Sequence, residues 1–296
     1  MRLSGGLGNQ LFQYSFGKFL EKSTKESTFY DLSEFKYSNE RDRRFPEINR
    51  LIRANSVNEP RFFHDLIPGR ISIFLKNKER RAISKVYGNG LLVERESELV
   101  YDKNLSIGPG RYYLGNFISH QYWESERNSI LGQIHHDLEY ILEESIAINS
   151  NSIGMHVRRG DYITNEKTLK FHGYCHDSYF LNAVKQIKSL HSEVKQVNIA
   201  SDSPKLVLTL KKNIEDLGMQ VEFIKNLEPI SAMVSLARNR FFVGSNSTFS
   251  WWAAALTEKE TNIFPDKWFA SGDYGFSPTS YFPFPVSTIS DALRVT

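Results

Sequence analysis

The sequence predicts an α/β protein whose second half is built on a parallel sheet. Three observations predict it. Short apolar runs of strand length alternate with apolar positions at helical spacing between residues 153 and 264. Proline and capping residues mark where the intervening helices begin. Polar clusters follow three of the strands, on the edge where open α/β sheets bind their ligands.

In chain order, the first element is a glycine-rich turn, Gly5-Gly6-Leu7-Gly8-Asn9-Gln10. It leads into an amphipathic helix carrying Leu11, Phe12, Tyr14, Phe16, Phe19 and Leu20. Only four residues precede Gly5, so the first strand must be very short or the N-terminus trimmed. Residues 31 to 110 are rich in charge, asparagine and aromatics and show no traceable period. Leu138 to Ile148 reads as a helix leading into a hinge, and Ile153 to Val157 as a strand. Asp177 can cap a helix through Tyr179, Phe180, Ala183, Val184, Ile187 and Leu190. Gln196 to Ala200 is the second strand, and Pro204 opens a helix through Leu206, Val207 and Leu210. Gln220 to Ile224 is the third strand, followed by a helix from Pro229 through Met233 and Leu236. Arg240 to Val243 is the fourth strand; Ser247 or Thr248 then caps a helix with Trp251, Trp252, Ala255 and Leu256. Asn262 to Phe264 is the fifth strand, and residues 277 to 285 read as a proline-spaced, non-regular tail. The expected division is residues 1–148, residues 149–270 and a tail, 271–296, that packs back.

Composition narrows the function. With 40% hydrophobic and 24% charged residues, the 296-residue chain can bury a sizeable core. A net charge of +3 is too mild for a nucleic-acid binder, and Arg41-Asp42-Arg43-Arg44 is short and interrupted by an acid. The single cysteine, Cys175, excludes an internal disulfide and fits a reducing compartment. No apolar run reaches the roughly 18 residues of a membrane span, and residues 1–6 lack a signal-peptide stretch. A cytoplasmic protein is expected, with contact to a membrane through its basic surface left open. The 13% of aromatic residues suit an ordinary core, and also the faces of sugars.

The chemistry concentrates in His156-Val157-Arg158-Arg159-Gly160-Asp161-Tyr162. Arginine grips phosphate oxygens with two donors at once, and Gly160 lets the backbone turn tightly or approach a ligand. Adjacent strand-end residues point in different directions, so one arginine can face a ligand while the other serves the surface. His156 fits either a satisfied core histidine or a site residue. Asp161 fits either an ion-pair partner or a general base beside the arginines. Ser201-Asp202-Ser203 follows the second strand, and Gly244-Ser245-Asn246-Ser247-Thr248 follows the fourth. The latter cap a helix, and the same free amides and dipole bind anions. Asn246-Ser247-Thr248 and Asn104-Leu105-Ser106 match glycosylation acceptors but are discounted without a secretory signal. The turn at Gly5 lacks a complete phosphate-loop pattern, although Asn9 and Gln10 offer amides suited to sugar hydroxyls. No Asp-x-Asp and no zinc-spaced His/Cys cluster is present, so no metal ligand is expected.

Gly5 to Tyr14, His156 to Tyr162, Ser201-Asp202 and Ser245 to Trp252 closely resemble, in order, the four signatures of the family-11 glycosyltransferases. These are α-1,2-fucosyltransferases, including bacterial enzymes of surface-polysaccharide synthesis. The resemblance implies a GT-B architecture, two Rossmann-like domains facing a cleft. The second would bind GDP-L-fucose and the first mainly the acceptor. It also implies inversion at the anomeric carbon, with no cofactor and no obligatory metal. Carried over, Arg158 would hold the donor diphosphate, with His156 and Arg159 in support, and Asp202 would position the nucleotide. Ser245, Asn246, Ser247 and Thr248 would line the phosphate and fucose site. Gly8, Asn9 and Gln10 would reach the cleft from the other domain. Asp161 is the expected base, with Glu124, His120 and His172 as alternatives. Ser203 stands where the family usually has a second aspartate. The implied partners are GDP-fucose and a galactose-terminated oligosaccharide or lipid-linked glycan, in O-antigen or other surface-glycan synthesis, at or near the inner membrane. Another nucleotide-sugar transferase, or a non-catalytic glycan- or nucleotide-binding module, are the alternatives.

Overall fold

A computed structural model describes residues 1–36, 46–52, 56–57, 91–93, 101–142, 149–224 and 228–295. The basic run Arg41-Asp42-Arg43-Arg44 and residues 143–148, the end of the expected hinge helix, lie outside these. The chain divides into two compact units, Met1–Ile130 and Leu131–Thr296. The division falls inside a helix, Arg127–Leu142, ahead of the boundary expected at residue 148.

The first unit contains α1 (Leu7–Thr24), β1 (Tyr30–Asp31), α2 (Ser33–Lys36), α3 (Asn49–Ile52), β2 (Ser56–Val57), β3 (Leu91–Val93) and β4 (Tyr112–Leu114). The pairs β1–β2 and β3–β4 are parallel. Residues 1–3 act as a very short strand. Arg2 bridges Asp31 in parallel, the Arg2 N–H donates to Tyr113 O at 3.0 Å, and the Leu3 N–H to Asp31 O at 2.9 Å. Helix α1 starts at Leu7, a turn earlier than its apolar stripe suggests, and buries Leu7, Leu11, Phe12, Phe16 and Leu20. Phe16 centres this core, with ring centroids 4.5 Å from Phe117, 5.3 Å from Tyr122 and 5.4 Å from Tyr113. Contacts of this kind add about 0.5–1.5 kcal/mol per pair beyond area burial. They make up for the shortness of the strands.

The second unit continues from α4 (Arg127–Leu142) through β5 (Asn149–Val157), α5 (Gly160–Thr164), α6 (Glu166–His172), β6 (Tyr174–Cys175) and α7 (Asp177–Leu190). Next come β7 (Gln196–Ser201), a 3₁₀ turn (Pro204–Val207), α8 (Leu208–Glu215), β8 (Gln220–Phe223), α9 (Pro229–Ala237) and β9 (Asn239–Gly244). It closes with α10 (Thr248–Ala255), β10 (Thr261–Pro265), α11 (Pro278–Tyr281), β11 (Ser287–Ile289) and β12 (Leu293–Arg294). Six strands form one parallel sheet in the order β11-β10-β9-β5-β7-β8. Ile153, Met155 and Val157 of β5 are fully buried, as are Val197, Ile199, Phe241 and Val243 on its neighbours. Strands buried on both faces read as continuous apolar runs, which is why these were legible.

The tail is more regular than its prolines suggest. It forms α11 and adds β11 to the sheet edge, pairing Ile263 with Ser287. Proline opens a helix or precedes an edge strand without losing a needed N–H, so proline spacing hid both elements. The strand order also fixes the functional geography. From β5 the chain builds outward through β7 and β8, then crosses to β9, β10 and β11 on the other side. The carboxyl ends of β5 and β9 therefore flank a topological switch point, where open parallel sheets form their ligand crevice.

Candidate active site

The loop after β5 and the loop after β9 meet at this switch point. The Ser245 hydroxyl donates to His156 O at 2.8 Å and accepts the Arg158 N–H at 3.0 Å. The Ser245 N–H also reaches His156 O, at 3.2 Å. Ser245 thus fastens the two loops to each other, and its fully buried hydroxyl is spent on protein.

Arg158 sits on the rim between two carboxylates. Its Nη2 lies 2.5 Å from Asp161 Oδ1 and its Nη1 3.0 Å from Asp202 Oδ2. The guanidinium also lies over the Tyr162 ring, 5.4 Å from the centroid. Burial alone would lower its pKa, but Asp202 and Asp161 together outweigh burial and raise it. The charge is permanent. Asp202 does two jobs, since its Oδ1 accepts the Arg159 N–H at 2.9 Å. Gly160 makes the approach feasible, because a Cβ there would run into the Asp202 carboxylate.

Arg159 points the other way. It is 2% exposed; its Nη1 donates to Cys175 O and its Nη2 to Asp177 Oδ1, both at 2.6 Å. Its guanidinium lies 5.1 Å from the Tyr174 ring and 5.5 Å from the Phe180 ring. Arg159 therefore faces the interior while Arg158 faces the rim, because adjacent residues leaving a strand diverge.

His156 is a buried neutral imidazole. Its Nδ1 lies 2.6 Å from Ser250 Oγ, and its ring 4.7 Å from Phe249. Burial first, then the Arg158 charge, pushes its pKa down to about 3. It braces the loop and stays uncharged at neutral pH, with a single ring N–H.

Asn246 is likewise fully buried. Its Nδ2 donates to His172 O at 2.9 Å and Trp268 O at 3.0 Å, and its carbonyl accepts the Tyr162 hydroxyl at 3.2 Å. The Cys175 thiol reaches Asn246 Oδ1 at 3.6 Å, and burial pushes that thiol up to about 12, so it is no nucleophile. Asn246 is a staple between elements, whereas Ser247 and Thr248 are half-buried. Ser247 caps α10, accepting the Phe249 N–H at 3.3 Å, and Thr248 opens the helix.

His172 stacks on Tyr162, with centroids 4.8 Å apart and planes 13° from parallel. Burial pulls its pKa down to about 4, against the pull of Asp161 and with the push of Arg158. Tyr162 therefore contacts both a cation and an imidazole. Sequence reading quoted Tyr162 and Ser250 within motifs but gave them no role; nothing in spacing alone marks a tyrosine as the wall behind an arginine.

In the first unit, Gln10 is fully buried, donating to Gly5 O at 2.9 Å and accepting the Ile48 N–H at 3.3 Å. Its amide shapes the turn instead of reaching outward. Gly8 is buried, and Asn9 is half-buried with Nδ2 3.5 Å from Asn116 Oδ1. Gly5, at φ +74°, supplies the left-handed turn against the Asn9 side chain. Glu124 is engaged by His120 Nδ1 at 2.6 Å and Arg127 Nη1 at 2.8 Å.

Chemically, the second unit presents one permanent guanidinium, two acids that share it, and the positive end of a capped helix. That set has the charge and donors that suit an anion of diphosphate type. A model of glycosyl transferase family 11 matches residues 1–272. The O-antigen biosynthesis glycosyltransferase WbnK of Escherichia coli is 31% identical, over 92% of this chain and 95% of its own. The alpha-1,2-colitosyltransferase of Escherichia coli is 26% identical, over 90% and 91%. Among solved structures, E. coli heptosyltransferase WaaC with ADP aligns over 100% of this chain and 97% of its own, with a TM-score of 0.49 and 11% identity.

Proposed function

This chain belongs to glycosyl transferase family 11, and from that membership we propose that it moves L-fucose from GDP-β-L-fucose to the 2-hydroxyl of a β-galactoside, with inversion. The observation that carries the reading is Arg158. It stands at the switch point beside the capped start of α10, tied to Ser245 through its own N–H.

The acceptor oxygen attacks the anomeric carbon from the face opposite GDP. The new glycosidic bond forms as the bond to the β-phosphate oxygen breaks, and GDP departs with the electron pair. Charge grows on the leaving phosphate, so Arg158 and the first turn of α10 act mostly in the transition state. The hydroxyl proton goes to Asp161. Without donor, Asp161 is held by Arg158. A diphosphate competes for that guanidinium, so donor binding frees the carboxylate to act as base. Asp202 keeps its grip on the loop through the Arg159 N–H.

The printed activities of the relatives extend the proposal. We place the acceptor in O-antigen synthesis, as a galactose-terminated, lipid-linked glycan. The colitosyltransferase supports a second donor reading, colitose at the same linkage. Among the described residues no helix is long and apolar enough to cross a membrane; a cytoplasmic protein with peripheral contact fits the proposed substrate. Metal-free turnover is also part of the proposal, since guanidinium and helix amides supply the positive charge.

The test is an incubation of the intact chain with β-galactoside disaccharides and, in turn, GDP-fucose, GDP-colitose, GDP-mannose and UDP-sugars, with product linkage determined by NMR. An α-1,2-fucosylated product, unchanged by EDTA, is expected. Transfer from GDP-colitose alone would replace the donor. No transfer from any donor, with GDP still bound, would leave a binding module.

A further inference from the structure

The first unit contains a cavity of about 680 Å³ that the proposed reaction does not use. That volume lies within the range of ligand sites, about 300–1,000 Å³. Its floor is apolar, from Leu20, Tyr112 and Tyr113. Its rim carries Phe29, which leaves 58% of its surface exposed, with Glu26, Ser27 and Arg111.

Its position separates it from the motif residues. Residues 28–29 lead into β1 and residues 108–111 into β4, so the cavity opens at the amino edge of the strands. Open parallel sheets use the carboxyl edge for the reacting ligand. Gly8, Asn9 and Gln10 stand at the start of α1, whereas Leu20 and Thr24 of the cavity stand at its end. Eighteen residues of helix span about 27 Å.

The walls are held in place. The Gly110 N–H donates to Glu26 Oε2 at 3.1 Å, and the Gly108 N–H to the Tyr113 hydroxyl at 3.0 Å. Arg111 Nη1 donates to Ser106 Oγ at 2.9 Å and Ser106 O at 3.2 Å. Asp31, beneath the rim, accepts the Tyr112 hydroxyl at 2.5 Å. A fixed loop, a projecting aromatic ring and planar carboxylate and guanidinium groups match the needs of sugar recognition. The ring covers an apolar C–H face, and the planar groups take hydroxyls in pairs. The lining carries two carboxylates, Glu26 and Asp31, against the Arg111 guanidinium and the Met1 amine, whose pKa burial lowers to about 6; that balance disfavours a phosphate or an acidic sugar at neutral pH.

We propose that this cavity is a second, non-catalytic site for a neutral oligosaccharide, holding part of a long acceptor glycan away from the hydroxyl that reacts. Only the link to the acceptor rests on the transferase reading; the binding itself does not.

The experiment uses the intact chain with a neutral, galactose-terminated hexasaccharide and the matching disaccharide. Calorimetry and saturation-transfer NMR are run on the wild type, Phe29→Ala and Glu26→Gln. Phe29 and Glu26 are exposed, and unchanged unfolding temperatures will verify folding. Each substitution is expected to weaken hexasaccharide binding about fivefold. KM for the hexasaccharide should rise in parallel, with KM for the disaccharide and for the donor unchanged. Hexasaccharide binding that neither substitution alters overturns the proposal, as does equal affinity for an acidic oligosaccharide. If no donor is turned over but the binding losses appear, the cavity stands and the transferase reading falls. If turnover is normal and the losses are absent, the reverse holds.

Discussion

Arg158 is the residue on which the proposed donor handling turns, and its guanidinium is shared by Asp161, Asp202 and the Tyr162 ring. Arg158→Lys keeps the charge but loses the planar fork, so it is not conservative here. Steady-state kinetics should show kcat reduced about 10²–10³-fold, with a smaller change in KM for the donor. Equal losses in donor affinity and no loss in kcat would assign it to ground-state binding instead. Asp161→Asn removes the proposed base while leaving a neutral partner for Arg158. Turnover should vanish while calorimetric GDP binding persists; near-normal turnover would move the role to His172, which stacks on the same tyrosine. Gly160→Ala pushes a methyl into the Asp202 carboxylate and should lower kcat/KM by about tenfold through loss of the Arg158 brace. Unchanged kcat/KM in that variant would show that Asp202 does not set the guanidinium.

At the scale of elements, β5, β9 and α10 act as one unit because two buried side chains, Ser245 and His156, cross between them, while a third, Asn246, ties them to their neighbours. Ser245 joins the two strand ends, His156 reaches Ser250 of α10, and Asn246 ties its own loop to α6 and to Trp268. Ser247 is different, being a half-buried cap at the helix start. Ser247→Ala should cost about 1 kcal/mol of stability. The same change removes a hydroxyl from the proposed anion site, so its effect on kcat should exceed what lost folding explains. Denaturant titration beside kinetics separates the two, and loss of stability without loss of rate would confine Ser247 to capping. The interior partner of this assembly is Arg159, whose buried charge is met by Asp177 and the Cys175 carbonyl. Removing Asp177 leaves an uncompensated buried charge, which costs about 3–5 kcal/mol in typical cases.

The whole molecule joins two α/β units of unequal regularity. Its acid stability should report the buried histidines. His156 is held near pKa 3 against an ordinary 6.5, so as pH falls the unfolded chain takes up the proton first. Stability is therefore kept above pH 6.5 and lost between about 6.5 and 3, at about 1.4 kcal/mol per pH unit for this group. His172 acts in the same direction. Denaturant melts at pH 7, 5.5 and 4.5 should show the decline, and His156→Gln should flatten it; a flat wild-type profile contradicts the burial. The sequence by itself determined the second-half sheet, because strands covered on both faces must be continuously apolar and their helices must be capped. It also marked the polar loops after β5, β7 and β9, because clustered charge and hydroxyls stand out against the apolar runs that precede them. Tertiary structure alone decided what each polar residue in those loops does. Arg158 and Arg159 are neighbours in the chain, yet the turn of the backbone sends one to the rim and the other into the interior. Ser245, Asn246 and His156 are indistinguishable from ligand contacts in the motif, and burial turned them into fasteners. Burial and direction arise from strand order and loop closure between distant segments, and a local pattern holds neither.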